Sequence, residues 1–304
     1  LGSIPVALSL VLVDRYVPES PIRTPSRVDV PGALLLSGAL VALMVGLTEG
    51  EYWGWASPEL AGVLLASAAL FALWGLVEAR SPSPMVDLRM LAHRPILLTN
   101  VATLISGFAL FSCFVLVPAF VETEAARGYG FGASATKAGL YLLPSSVAML
   151  FAGPLAGAIG RRHGSKWPLA GGMVVVSVAA TLFAVAHDDP VPVLAASALL
   201  GLGVGAAFAA MAALIADNVD QRELGVAAGM NTVVRMVGAV VGGQVGAALL
   251  TARTIGGTEI PHESAYTITF ALSAGTALAA AAIAVLIASR PTQRRFESAD
   301  ARAA

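Results

Sequence analysis

Charge is scarce in this sequence, and acid is missing from its longest apolar stretches. Asp, Glu, Lys and Arg make up 12% of the residues, against about a quarter in a soluble domain, so an ordinary water-facing globule is excluded. None of the nineteen Asp and Glu residues lies within a complete apolar run. No such run therefore holds the carboxylate that a proton-coupled carrier loads and releases, nor can His93, His163, His187 and His262 supply it, since all four fall in loops. The one cysteine, Cys113, lies mid-run between Ser112 and Phe114; it cannot close an internal disulfide and reads as packing. A net charge of -1, with cations scattered over several loops, lacks the basic stripe of a nucleic-acid partner. Nor is there a phosphate-binding glycine loop, because GLGVG at Gly201 sits inside an apolar run with no strand before it.

What fills the chain is apolar: 57% of residues are hydrophobic and the mean hydropathy is +0.79. The runs are Val30 to Thr48, Leu60 to Val77, Ile96 to Val121, Ala138 to Ile159, Pro168 to Ala186, Val191 to Ala216, Leu224 to Ala252 and Ala265 to Ser289. A bilayer core of roughly 30 Å takes about 20 helical residues, and each run reaches or approaches that length. The fold class expected is an all-α polytopic membrane helix bundle. Fourteen of the eighteen Lys and Arg residues fall in alternate gaps: Arg15, Arg23 and Arg27; Arg80, Arg89 and Arg94; Arg161, Arg162 and Lys166; Arg222; and Arg290, Arg294, Arg295 and Arg302. Those gaps are expected on the cytoplasmic side, together with the C-terminus. Trp53 and Trp55, in the gap between the first two runs, suit the opposite interface. Leu1 to Val13 reads as the end of a membrane helix that begins upstream, so the chain is expected to be a C-terminal fragment.

Polar residues within the runs are few enough to take singly. Ile96 to Val121 places Asn100, Thr103, Gly107, Phe111 and Phe114 on one face, and Leu224 to Ala252 does the same with Asn231, Arg235, Gly238 and Gly242. Both faces are expected to point inward. Arg235 lies eleven residues past Leu224, roughly 16 Å deep, where a charge costs on the order of 2.5 to 3.5 kcal/mol unless it is solvated or paired. It belongs to a substrate path or else snorkels to the interface. Pro168 to Ala186 and Ala265 to Ser289 have only Ser and Thr as polar groups, whose hydroxyls can bond back to their own helix, so these runs could face lipid. Glycines recur four apart at Gly153/Gly157, Gly201/Gly205, Gly225/Gly229 and Gly238/Gly242/Gly246, a spacing that lets helices approach closely. Ser145 and Ser146 have no nearby His, and HDDP at His187 reads as a tight hydrophilic turn; neither a nucleophile nor a metal site is expected.

The turn GAIGRRHGSK is similar to the cytoplasmic loop motif of the major facilitator superfamily, with Gly157, Arg162, Gly164 and Lys166 matching. Arg161 stands at the motif's acidic position and Ser165 at a basic one. The segments LVLVDRYVPES, ALLLSGALVALMVGLTEGEYWGWASP, MVDLRMLAHRP and GVAAGMNTVVRMVGAVVGGQVGAALL resemble, in order, the drug:proton antiporter group of that superfamily with fourteen membrane helices. The resemblance implies the end of a sixth membrane helix at 1–13, a cytoplasmic loop at 14–29, two linker helices at 30–77, a cytoplasmic loop at 78–95, a six-helix transporter domain at 96–289 and a cytoplasmic tail at 290–304. It further implies export of drugs or other small amphipathic compounds by alternating access in the cell membrane, with protons as coupling ion, a missing N-terminal half of the same protein as partner and no cofactor. The acidic coupling residues would lie upstream. Phe108, Phe111, Met149, Met211 and Met230 suit an apolar cavity surface, and Asn100, Thr103, Phe111, Asn231 and Arg235 a substrate path. A membrane-embedded enzyme would need carboxylate, His or Cys gathered near one interface, and none gather. The alternative is a non-transporting scaffold or a membrane subunit of another transport system.

Overall fold

A bilayer leaves the peptide groups no partner but each other, so each apolar run closes its hydrogen bonds within a helix. The computed structural model describes residues 3–16, 29–81, 86–124, 129–255 and 260–288. Its helices are α1 (Ser3–Tyr16), α2 (Val30–Trp53), α3 (Pro58–Arg80), α4 (Leu88–Ala92), α5 (Arg94–Glu122), α6 (Ala135–His163), α7 (Lys166–Val185), α8 (Pro190–Asn218), α9 (Leu224–Thr251) and α10 (Glu263–Leu286). Eight of these, α2, α3 and α5 to α10, are long and apolar enough to cross a membrane. Among the described residues there is no strand, only one isolated bridge between Thr254 and Pro261. Most of the expected loop at 14–29 and the tail at 290–304 lie outside the described residues.

Several helix starts fall where capping side chains sit rather than where hydropathy changes. The Ser57 hydroxyl accepts from the Leu60 N–H and starts α3 two residues before the apolar run, while Asp29 accepts from Gly32 N–H ahead of Pro31 in α2. α2 continues through Glu49 and Glu51 to Trp53, and α10 stops at Leu286, three residues short of its run. The stretch 78–95, read from sequence as loop, contains the last turn of α3 and the short α4, started by the Asp87 carboxylate on Arg89 N–H. Glu78 is buried and accepts from the Val86 N–H, which folds the chain back after α3.

The six helices α5 to α10 form two triplets with matching partners. α5 packs against α9 and α10, the second and third helices of the other triplet; α8 packs against α6 and α7 in the same way, and α7 meets α10. Since three spans reverse the starting side, the second triplet is inverted with respect to the first. This puts α5 and α8 at the centre and α6 and α9 on the flanks. Only 17% of the most apolar stretch of α6 and 22% of that of α9 are buried, against 56% for α5 and for α8. α7 and α10 are open on one side alone: Val174, Val178, Leu278 and Val285 are exposed, but the opposite sides are sealed, with Phe183 stacked on Phe270. α2 and α3 form a hairpin, tied by Ser67 Oγ donating to Ala39 O at 2.9 Å. The hairpin leans on the start of α9, where Val226 and Met230 pack against Leu36, Trp74 and Val86.

Candidate functional site: the seam between α5 and α9

The two polar faces read from the sequence point at each other. Asn231 Nδ2 on α9 donates to Asn100 Oδ1 and to Thr103 Oγ1 on α5, each at 2.9 Å, using both of its amide hydrogens. Thr103 is fully buried and Asn231 5% exposed, so these two groups lie inside the helix contact; Asn100, half-buried, is at its edge. Further along, backbone meets backbone. A Cβ on Gly107 would run into the carbonyl of Arg235, one on Gly238 into that of Leu104 and one on Gly242 into that of Phe108. Small residues and side-chain amides are what draw helices together where lipid removes the hydrophobic drive.

Arg235 leaves this seam sideways. Its guanidinium carbon lies 4.5 Å from the centroid of the Phe208 ring on α8, and the residue is half-buried. Among the described residues no carboxylate is within ion-pair distance of it. An aromatic face attracts a cation by about 0.5 to 2 kcal/mol depending on its exposure, which offsets part of the insertion cost. Phe111, next along the α5 face, is 37% exposed. Of the other apolar candidates Met211 is buried core, Met230 packs on the α2–α3 hairpin, Phe108 lines the seam and Met149 is exposed on α6.

The opposite flank is built alike. A Cβ on Gly201 of α8 would strike the Ser145 backbone of α6, and one on Gly205 would meet Ala152 and Met149. Ser145 Oγ is spent on Leu142 O at 2.6 Å. The same four-residue spacing is idle elsewhere: Gly153, Gly225 and Gly229 have nothing within 4 Å of a Cβ, and Gly157 has only an Arg161 guanidinium nitrogen at 3.7 Å. Conversely Gly172 and Gly203, outside that spacing, bring α7 and α8 together.

In the turn between α6 and α7, Gly164 takes φ +99° and ends α6, a backbone conformation natural to glycine. Arg162 is exposed. Lys166 Nζ donates to Val285 O near the end of α10 at 3.1 Å and lies 5.6 Å from the Trp167 ring centroid. Ser165 Oγ donates to Asp217 Oδ2 on α8 at 2.7 Å, so the turn is tied to a carboxylate although Arg161 occupies the motif's acidic position. Asp217 also lines a cavity of about 540 Å³ with Arg89, His93, Asn218, Asp220 and Glu223. At the other end of the bundle Phe120 is ringed by Tyr129, Phe131, His187 and Tyr266. Periodicity within one run carries no signal for that cluster, because it draws on several separate segments.

A model described as the Major Facilitator Superfamily matches residues 99–303. The tetracenomycin C resistance and export protein of Streptomyces glaucescens is 28% identical over 235 residues, covering 76% of this chain and 42% of that protein. The multidrug resistance protein Stp of Mycobacterium tuberculosis is 28% identical over 257 residues, covering 84% and 47%. The lincomycin resistance protein of Streptomyces lincolnensis is 30% identical over 289 residues, covering 92% and 56%. The chain spans about half the length of these relatives.

Proposed function

Because the chain belongs to the major facilitator superfamily, we propose that it forms the C-terminal bundle and two linker helices of a fourteen-helix drug:proton antiporter, exporting small amphipathic compounds by alternating access. The observation that carries this reading is the uneven cover of the bundle. α6 and α9 are each pinned through glycines to a central helix, yet most of their apolar surface is open. Two flank helices so arranged suit a second bundle that rocks against them. The names of the relatives, which speak of resistance and export, support drug-like cargo. In this reading the C-terminus is cytoplasmic, on the strength of the cation distribution. Arg235 and Phe111 line the path, while Asn100, Thr103 and Asn231 fasten α5 to α9 behind it. Protons are carried by carboxylates outside these 304 residues.

Efflux of a fluorescent amphipathic dye is the test, in cells expressing the complete reading frame that contains this chain. Uncoupler-sensitive efflux is expected. Dye accumulation indifferent to a membrane-inserted protein overturns the reading.

A further inference from the structure

His187, in the turn between α7 and α8, meets the first turn of α10 at the end of the bundle away from the Gly157–Lys166 loop. Its ring is buried and sits edge-to-face on Phe120, with centroids 5.1 Å apart at 77°. Nδ1 lies 2.9 Å from the carbonyl oxygen of Phe183, one turn back in α7. A carbonyl only accepts, so Nδ1 carries a hydrogen and donates it. In the neutral imidazole Nε2 then presents its lone pair, and 2.9 Å from it stands Glu263 Oε1, a second acceptor. Two lone pairs face each other at that distance only if a positive charge is supplied. Asp188 adds a third donor: one ligand atom from each of His187, Asp188 and Glu263 lie within 4.8 Å of one another.

We propose that His187, Asp188 and Glu263 bind a divalent transition-metal ion of the Zn²⁺ type, which staples the turn between α7 and α8 to α10. A neutral imidazole with two carboxylates carries a charge of about -2 and matches a dication. Imidazole with carboxylate is a donor set that suits zinc. The Nδ1–H bond to a backbone carbonyl is the outer-shell contact that fixes a ligating histidine's tautomer and direction. Phe120 keeps the ring from swinging away. Asp188 is exposed and Glu263 half-exposed, so water can complete the coordination.

The experiment uses the purified chain in lipid nanodiscs, titrated with Zn²⁺ against a chromophoric chelator and separately with Co²⁺ by visible absorption. One equivalent of metal is expected, with His187→Gln and Glu263→Gln each weakening affinity by at least ~10-fold. Asp188→Asn, at an exposed position that leaves packing intact, should also weaken it, while His93→Ala should not. Zn²⁺ should raise the melting temperature of the unsubstituted chain and not that of Glu263→Gln, as selective binding to the folded state requires. Absence of stoichiometric binding, or affinity indifferent to these three ligand substitutions, overturns the proposal and leaves a shared proton between His187 and Glu263.

Discussion

At the scale of the residue, Arg235 carries the strongest expectation. It is an intramembrane cation whose observed stabiliser is the ring of Phe208 and whose surroundings hold no acid within pairing distance among the described residues. A group kept at a cost of a few kcal/mol is kept for use. Arg235→Ala in the complete transporter is expected to abolish most dye efflux while membrane abundance stays near normal on immunoblots. Arg235→Lys keeps the charge but loses the planar group that stacks on Phe208, so partial efflux is expected. Full activity of the Ala variant would make Arg235 a structural residue. Asn231 is different in kind: Asn231→Ala removes the donor to Thr103 inside the helix contact and to Asn100 at its edge. It should lower stability by about 0.6–2 kcal/mol, the range for interhelical hydrogen bonds in membranes, seen as an earlier midpoint in detergent-induced unfolding. The polarity and spacing of these residues were legible in the sequence. That Asn231 and Asn100 would be each other's partners was not, since periodicity tells which face a residue shares and not what that face meets.

At the scale of the element, glycine spacing divides into used and unused. Gly201 and Gly238 sit where a methyl group collides with the Ser145 or Leu104 backbone, which cannot yield as a side chain can. Gly201→Ala and Gly238→Ala are expected to cost about 1–3 kcal/mol through overpacking. Gly153→Ala and Gly225→Ala, with open space around the new carbon, should be neutral or gain up to about 1 kcal/mol from helix propensity. Melting curves of the four variants in one detergent separate the two classes, and equal shifts in all four would remove the close-packing account. The sequence pattern was the same in both classes; only the presence of a facing helix distinguishes them. The same holds for α7 and α10, whose lack of strongly polar groups suits lipid and protein contact equally, so their buried sides could not be told from composition. The short α4 was hidden for another reason: five residues have no periodicity to read, and Asp87 with the burial of Glu78 makes that turn.

At the scale of the whole molecule, orientation is the exposed claim. Cys113 is buried, so a Cys113→Ser background removes it without opening the surface. Single cysteines at Ser57 and Asp189 should react with a membrane-impermeant thiol reagent from outside intact cells, and ones at His93 and His163 should not. Ser165 is a poor probe because it is buried on Asp217. Labelling of His93→Cys from outside would invert the assignment. The 304 residues alone, with one six-helix bundle whose flanks are open, are expected to insert in vesicles and to give no proton-driven dye transport. Robust uncoupler-sensitive transport there would sink the two-bundle account. By itself the sequence determined the class of fold and, among the described residues, the eight membrane-length helices, because hydropathy acts on each segment independently in a bilayer. Helix partners, the glycines that matter, the seat of Arg235 on Phe208 and the meeting of His187 with Glu263, seventy-six residues away, were decided by tertiary structure alone. Such contacts join segments distant in the chain, and lipid, which solvates any apolar face equally well, leaves their choice to shape and hydrogen bonding between helices.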